Sequence, residues 1–232
     1  MSAFTIPDYV GLAFYAGAWL SYYLTVERSE TGRRSLNRVM NAHRYHWMRG
    51  LQERDNRIID ANINATLQNG SAFFASTSLL AIGGALSLLR STDEVLNIFA
   101  EMPLGFATTR LAWEMKVIGL TVIFVYAFFK FAWSYRLFNY GAILIGAVPN
   151  RGSPGGEIEL AAWRAASMNT VAGRHFNRGQ RAFFFALAYL GWFVSAYLLI
   201  AATAAVLFVM WRRQFASDAL ATLGRGPWPP PP

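Results

Sequence analysis

Four stretches with few or no charges organise the chain. Tyr9 to Val26 is uncharged, with Asp8 before it and Glu27 after it. Ile63 to Leu89 is closed by Arg90; its first third is polar, and Ala72 to Leu89 is cleanly apolar. Leu111 to Phe138, with a longer alternative reaching Val148, is interrupted by Glu114, Lys116, Lys130 and Arg136. Ala182 to Met210 contains no charge at all. A helix needs about 20 residues to cross the hydrocarbon core, and it satisfies its own backbone there. The pattern therefore predicts an all-α integral membrane protein with four transmembrane helices, about 9–26, 63–89, 111–138 and 182–210. Strand-like alternation is absent, which argues against a barrel.

The segments between the spans carry their own signals. From Leu36 the positions Leu36, Met40, His43, Trp47 and Leu51 follow one helical face. This predicts an amphipathic interfacial helix between the first and second spans, or one packed on the ends of the spans. The second long segment opens on the breaker Asn150-Arg151-Gly152-Ser153-Pro154, and a short helix is expected from Glu157 to about Val171. Residues 1–217 read as one transmembrane domain, with loops at 27–62 and 149–181. Residues 218–232 read as a disordered tail ending Gly226-Pro227-Trp228 and four prolines.

Charge then orients the spans. All but two of the 21 cations are arginine, against 13 acids, for a net charge of +8. Arg28, Arg33, Arg34, Arg38, Arg44, Arg49, Arg54 and Arg57 crowd the first loop, and Arg151, Arg164, Arg174, Arg178 and Arg181 the last. The positive-inside rule places both loops in the cytoplasm, with both termini outside. Arg212 and Arg213, just after the fourth span, oppose that count. Membrane lipids are the expected partners of these cations, and nucleic acid is not. The chain has no cysteine, which excludes a thiol nucleophile and any cysteine-ligated metal.

Candidate chemistry is sparse. His43 and His46 stand at i, i+3, with His175 in the other loop, but without an acidic ligand motif they make a weak metal or haem signal. Lys116 and Lys130 lie fourteen residues apart, close to four turns, and so share a face of the third span. Lys116 and Arg136 read best as snorkelling, while Lys130 is a candidate intramembrane charge. Asn62, Thr66, Asn69, Phe73 and Ser76 form a stripe at the start of the second span. Ser76, Gly83, Gly84 and Ser87 let a neighbouring helix approach closely, and read best as packing positions within one bundle. No catalytic motif is present, so no enzyme and no cofactor are predicted.

Three separated blocks carry a resemblance. Arg44-Tyr45-His46-Trp47-Met48 leads through Asp55-Asn56-Arg57-Ile58-Ile59-Asp60 into Asn69-Gly70-Ser71-Ala72-Phe73-Phe74. Phe131-Ala132-Trp133-Ser134-Tyr135-Arg136-Leu137-Phe138-Asn139-Tyr140 follows, and then His175-Phe176-Asn177-Arg178-Gly179-Gln180-Arg181. Together they resemble the membrane family known as domain of unknown function 599, over roughly Pro7 to Ser217. The resemblance implies a multi-span inner-membrane protein and brings no activity, cofactor or catalytic residue. All three blocks fall near the cytoplasmic ends of spans, where Trp47, Asp60, Asn69, Arg136, Asn139, His175, Asn177 and Arg181 are expected to meet in one polar cluster. The expected function is non-enzymatic assembly, as a homo-oligomer or an accessory subunit of a larger membrane complex. The alternatives are a small ion channel or transporter with a path near Lys130 and the Asn-rich start of the second span, or a haem or metal protein using the His and Asp side chains.

Overall fold

The computed structural model describes residues 4–54, 56–101, 109–149 and 155–223. Asp55, Arg151 and Arg225, together with the side chain of Glu101, lie outside the described residues, and so do most of the Gly/Pro breaker and of the terminal tail. Eight α-helices occur among the described residues, and no strand: α1 Ile6–Arg28, α2 Leu36–Arg49, α3 Ile58–Arg90, α4 Thr92–Glu101, α5 Arg110–Gly146, α6 Gly155–Val194, α7 Ala196–Phe215 and α8 Asp218–Leu223. Among the described residues, three helical stretches, Ile58–Arg90, Arg110–Gly146 and Ala196–Leu223, are long and apolar enough to cross a membrane.

Local chemistry sets the helix ends. Asp8 accepts from the Thr5 backbone N–H at 2.9 Å and from its hydroxyl at 2.7 Å, and Pro7 sits in the first turn of α1. Ser35 and Thr109 cap α2 and α5 by accepting from Arg38 N and Ala112 N. At the far end of α5 the Arg57 guanidinium takes the last carbonyls. It donates to Ile145 O at 3.2 Å, Val148 O at 2.5 Å and Pro149 O at 3.2 Å. A cation there also suits the negative end of the helix dipole.

The uncharged run 182–210 is not one helix. Ser195 adopts an extended backbone, φ −161° and ψ 158°, and its hydroxyl caps α7 by accepting from Leu198 N at 3.1 Å. The chain reverses at that single residue. Gly191 meets Leu198, and Phe184 meets Arg213, so α6 and α7 run antiparallel. The reversal changes which end of the bundle each charge occupies. Along α6, Asp8 meets Trp192, Tyr15 donates to Phe185 O, and Glu27 meets Arg178, so α1 is also antiparallel to α6. Arg212 and Arg213 therefore lie at the same end as Arg178 and Arg181. The first residues of α1 and the last of α7 lie at opposite ends of the bundle, against the expectation that both termini share a side.

Two cores result. Between α1, α5, α6 and α7 pack Tyr15, Tyr22, Leu120, Ile123, Phe131, Phe185, Tyr189, Trp192 and Leu199. The helices α3, α5 and α6 have 33, 37 and 40 residues. At about 1.5 Å per residue each exceeds the roughly 30 Å hydrocarbon core. The overhang at the arginine-rich end forms a second core in which Met48 and Leu51 pack on Ile145, Val148, Ile158, Ala162, Ala165 and Ala166. The helix α2 thus lies on α6. The face it buries is centred on Met48, with Arg44 against Gly173, while Met40 of the expected stripe is exposed. The short helix expected over 157–171 is continuous with the rest of α6. The first six residues of the expected disordered tail form α8.

Candidate functional site

The polar side chains at the arginine-rich end fall into three groups rather than one cluster. The first joins α2 to α3. Asp60, fully buried, accepts from Trp47 Nε1 at 2.6 Å and is paired with Arg54. Its second carboxylate oxygen is buried without a partner. With Arg57, three residues before Asp60, capping α5, this motif works as a clamp fastening α2, α3 and α5.

The second group joins α1 to α6. Glu27 accepts from Arg178 Nε at 3.0 and 3.1 Å, from the Arg178 Nη2, and from Arg181 Nη2 at 3.2 Å. Arg181 is itself buried and lies over the Tyr22 and Tyr23 rings. Burial pushes the Glu27 carboxyl up, but the Arg178 hydrogen bonds and the two guanidinium charges outweigh it and hold its pKa below the ordinary value. Asn177 and Arg181 line the cavities beside this pair.

The third group faces outward. Lys130, Trp133, Arg136 and His175 line an open groove of about 470 Å³ between α5 and α6. The Lys130 ammonium lies 5.0 Å from the Tyr126 ring centre, and Arg136 donates to Tyr140 Oη at 2.7 Å. Asn69 and Asn139 are exposed and join none of the three groups. His43 and His46 stand on α2, and among the described residues no three His, Asp or Glu side chains gather to hold a metal.

Lys116 does not snorkel. It is buried, donates to the Trp192 carbonyl at 2.8 Å and lies 5.2 Å from that indole. The Trp192 carbonyl lies in the last turn of α6, which has no intrahelical partner to offer, so the ammonium acts as a cap.

The packing glycines are also not those expected. A Cβ added at Gly83 or Gly84 would meet nothing within 4 Å, and Ser76 and Ser87 are likewise exposed. Close approach occurs instead at Gly141 against Asn169, Gly179 against Phe131 and Gly191 against Leu198. The covered face of α3 is the seven-residue series Asn64, Ser71, Ser78 and Ala85. Asn64 donates to Phe138 O at 2.9 Å, and Ser71 meets Ser134 at 3.1 Å. That spacing was the available sequence signal for this seam. Glu27 had only the signal of ending the first uncharged run.

A family model described as protein of unknown function, DUF599, matches residues 10–219. No curated protein and no solved structure matches the chain.

Proposed function

The chain belongs to the DUF599 family, and we propose that it is a non-enzymatic inner-membrane protein that acts by assembly, its α3 packing against the α3 of a second copy. In this reading α1 and the C-terminal half of α6 cross the bilayer with α3, α5 and α7, making five passes. The arginine-rich end lies in the cytoplasm, which now agrees with Arg212 and Arg213.

One observation carries the reading. Asn62, Thr66, Asn69, Phe73, Ser76, Leu80, Gly83 and Ser87 alternate at four and three residues along α3, and every one is exposed. Phe73 and Leu80 are 66% and 77% exposed. Asn69 has no hydrogen-bond partner among the described residues. An amide facing hydrocarbon alone is unfavourable, and small residues in heptad register are what transmembrane helices use to approach one another. A two-fold axis along the membrane normal brings this stripe against itself. A channel within one chain fits less well, because Phe74, Phe131, Phe176 and Phe183 pack against one another inside the bundle, while Lys130 lines an outward groove. No cofactor belongs to the proposal, and lipids cover the remaining apolar surface.

The absence of cysteine makes the test clean. Ser76→Cys and Ser87→Cys should form disulfide-linked dimers in oxidised membranes, whereas Tyr197→Cys, on the exposed face of α7, should not. A protein that reconstitutes as a single chain by native mass, with no cross-link at either serine position, would refute self-assembly. Cross-linking to a different chain of fixed size would make this face the contact with a host complex.

A further inference from the structure

We propose that the arginine-rich end contains a binding site for a phosphate-bearing anion, set between α1, the start of α2, α6 and the end of α7. This site is independent of the assembly reading.

Two adjoining cavities, of about 150 and 170 Å³, share Asn37, Asn177 and Arg181. The first has the volume of about five waters, enough for a phosphate group with part of its hydration shell. Its lining holds no carboxylate and is rich in hydrogen-bond donors: the guanidinium groups of Arg181 and Arg213 and the NH2 groups of Asn37, Asn177, Gln180 and Gln214, beside the Tyr22 hydroxyl. The second cavity adds Arg38 and Arg174, and its one carboxylate is Glu27. That carboxylate is already occupied by Arg178 and Arg181. Among the described residues Arg213 meets no carboxylate; it lies 5.5 Å from the Phe184 ring centre.

A second observation points to a ligand rather than to solvated surface charge. Gln214 is 8% exposed and lines the first cavity, yet its Nε2 donor is buried without a partner. Buried donors in folded proteins are satisfied with few exceptions, and an anion in this cavity offers this one an acceptor once the Gln214 amide turns toward it. Two guanidinium groups and several amides converging on one volume are the donor set that phosphate oxygens take. The first turn of α2 adds the positive end of its helix dipole.

The apolar side of the site favours a lipid as the source of the phosphate. Tyr22 also lines a groove of about 310 Å³ between α1 and α7, walled by Phe14, Leu207, Phe208 and Trp211. A headgroup held by Arg181 and Arg213 can lay an acyl chain along that groove.

The full-length protein in a neutral detergent tests this. Its melting midpoint is followed while dioleoyl phosphatidylglycerol, dioleoyl phosphatidylcholine or sodium phosphate is titrated in. The expected result is a saturable rise with phosphatidylglycerol and none with phosphatidylcholine. Arg213→Gln and Asn177→Ala should weaken the apparent affinity by roughly tenfold or more, as loss of a charge-assisted contact does. Arg212→Gln, one residue away and outside the cavity, should change it by less than about twofold. Arg213 is exposed, so its replacement leaves the bundle intact. A saturable rise with sodium phosphate that the same variants abolish assigns the site to a free anion. The proposal is overturned if neither phosphatidylglycerol nor phosphate shifts the midpoint. It is equally overturned if Arg212→Gln weakens binding as much as Arg213→Gln, since the effect is then diffuse charge.

Discussion

The reversal at Ser195 rests on one glycine, and replacing it tests the whole hairpin. A Cβ on Gly191 would lie 2.9 Å from the Leu198 carbonyl oxygen, 3.0 Å from its carbon and 3.2 Å from Leu199 N. These are backbone atoms, held to α6 through a single linking residue, so they cannot swing aside as a side chain would. Gly191→Ala gains about 1 kcal/mol of helix propensity. Overpacking costs about 1–3 kcal/mol, and three simultaneous backbone contacts place this site at the top of that range. The net expectation is a loss of about 2 kcal/mol, and more for Gly191→Val. Gly84→Ala is the matched control, because nothing lies within 4 Å of its added methyl. It should keep the full propensity gain of about 1 kcal/mol, so the two alanine variants should differ by about 3 kcal/mol. Unfolding both in the same detergent measures the difference. Equal stability of the two would show that α6 and α7 do not approach. Labelling by an impermeant maleimide gives the independent check, since Arg212→Cys and Arg33→Cys should react from one side of a sealed vesicle. Reaction from opposite sides would restore one continuous helix through 182–210 and refute the hairpin.

Two further outcomes follow from the polar groups. The Glu27 pKa is depressed in the folded protein, since its Arg178 and Arg181 contacts outweigh burial. Its stabilisation is therefore complete above the ordinary value of 4.5 and is lost as pH falls through the lower folded value. Melting midpoints should drop over that acid range in the wild type and less steeply in Glu27→Gln, and matching slopes would contradict the assignment. Asp60→Ala should cost about 2–4 kcal/mol, mainly the charged hydrogen bond to Trp47, because the half-exposed Arg54 regains water. Asp60→Asn, which keeps an acceptor for Trp47, should cost about half as much in the same denaturation series. A loss below about 0.5 kcal/mol for the alanine variant would remove the clamp.

Helix legibility followed the chemistry of each end. Pro7 and Asp8 mark the start of α1, and the apolar runs of α3 and α5 fix their helical state. The break inside 182–210 left only a serine and a glycine four residues apart. Hydropathy is equally high on both sides of Ser195, so an average over the run cannot see a cap formed by one hydroxyl. The extent of the polar cluster is hidden from sequence for a similar reason. Sequence places Trp47, Asp60, Asn69, Arg136, Asn139, His175, Asn177 and Arg181 near one end. The rotation of each helix then separates Asp60 from the Arg136 groove and turns Asn69 and Asn139 outward. Sequence alone points Lys116 to the headgroups because an isolated span offers its ammonium nothing else, whereas the bundle offers the Trp192 carbonyl.

Composition and periodicity alone determine that this chain is helical, apolar enough for a membrane and strongly biased in its arginines. Those properties belong to each residue and its near neighbours, and so survive without a fold. The tertiary structure decided which residues meet: Glu27 with Arg178 and Arg181, Asp60 with Trp47, and Gln214 with a cavity instead of a partner. It also decided that one face of α3 is covered and the other is bare. Both faces carry small and polar residues at the same seven-residue spacing, so only the position of α5 distinguishes them.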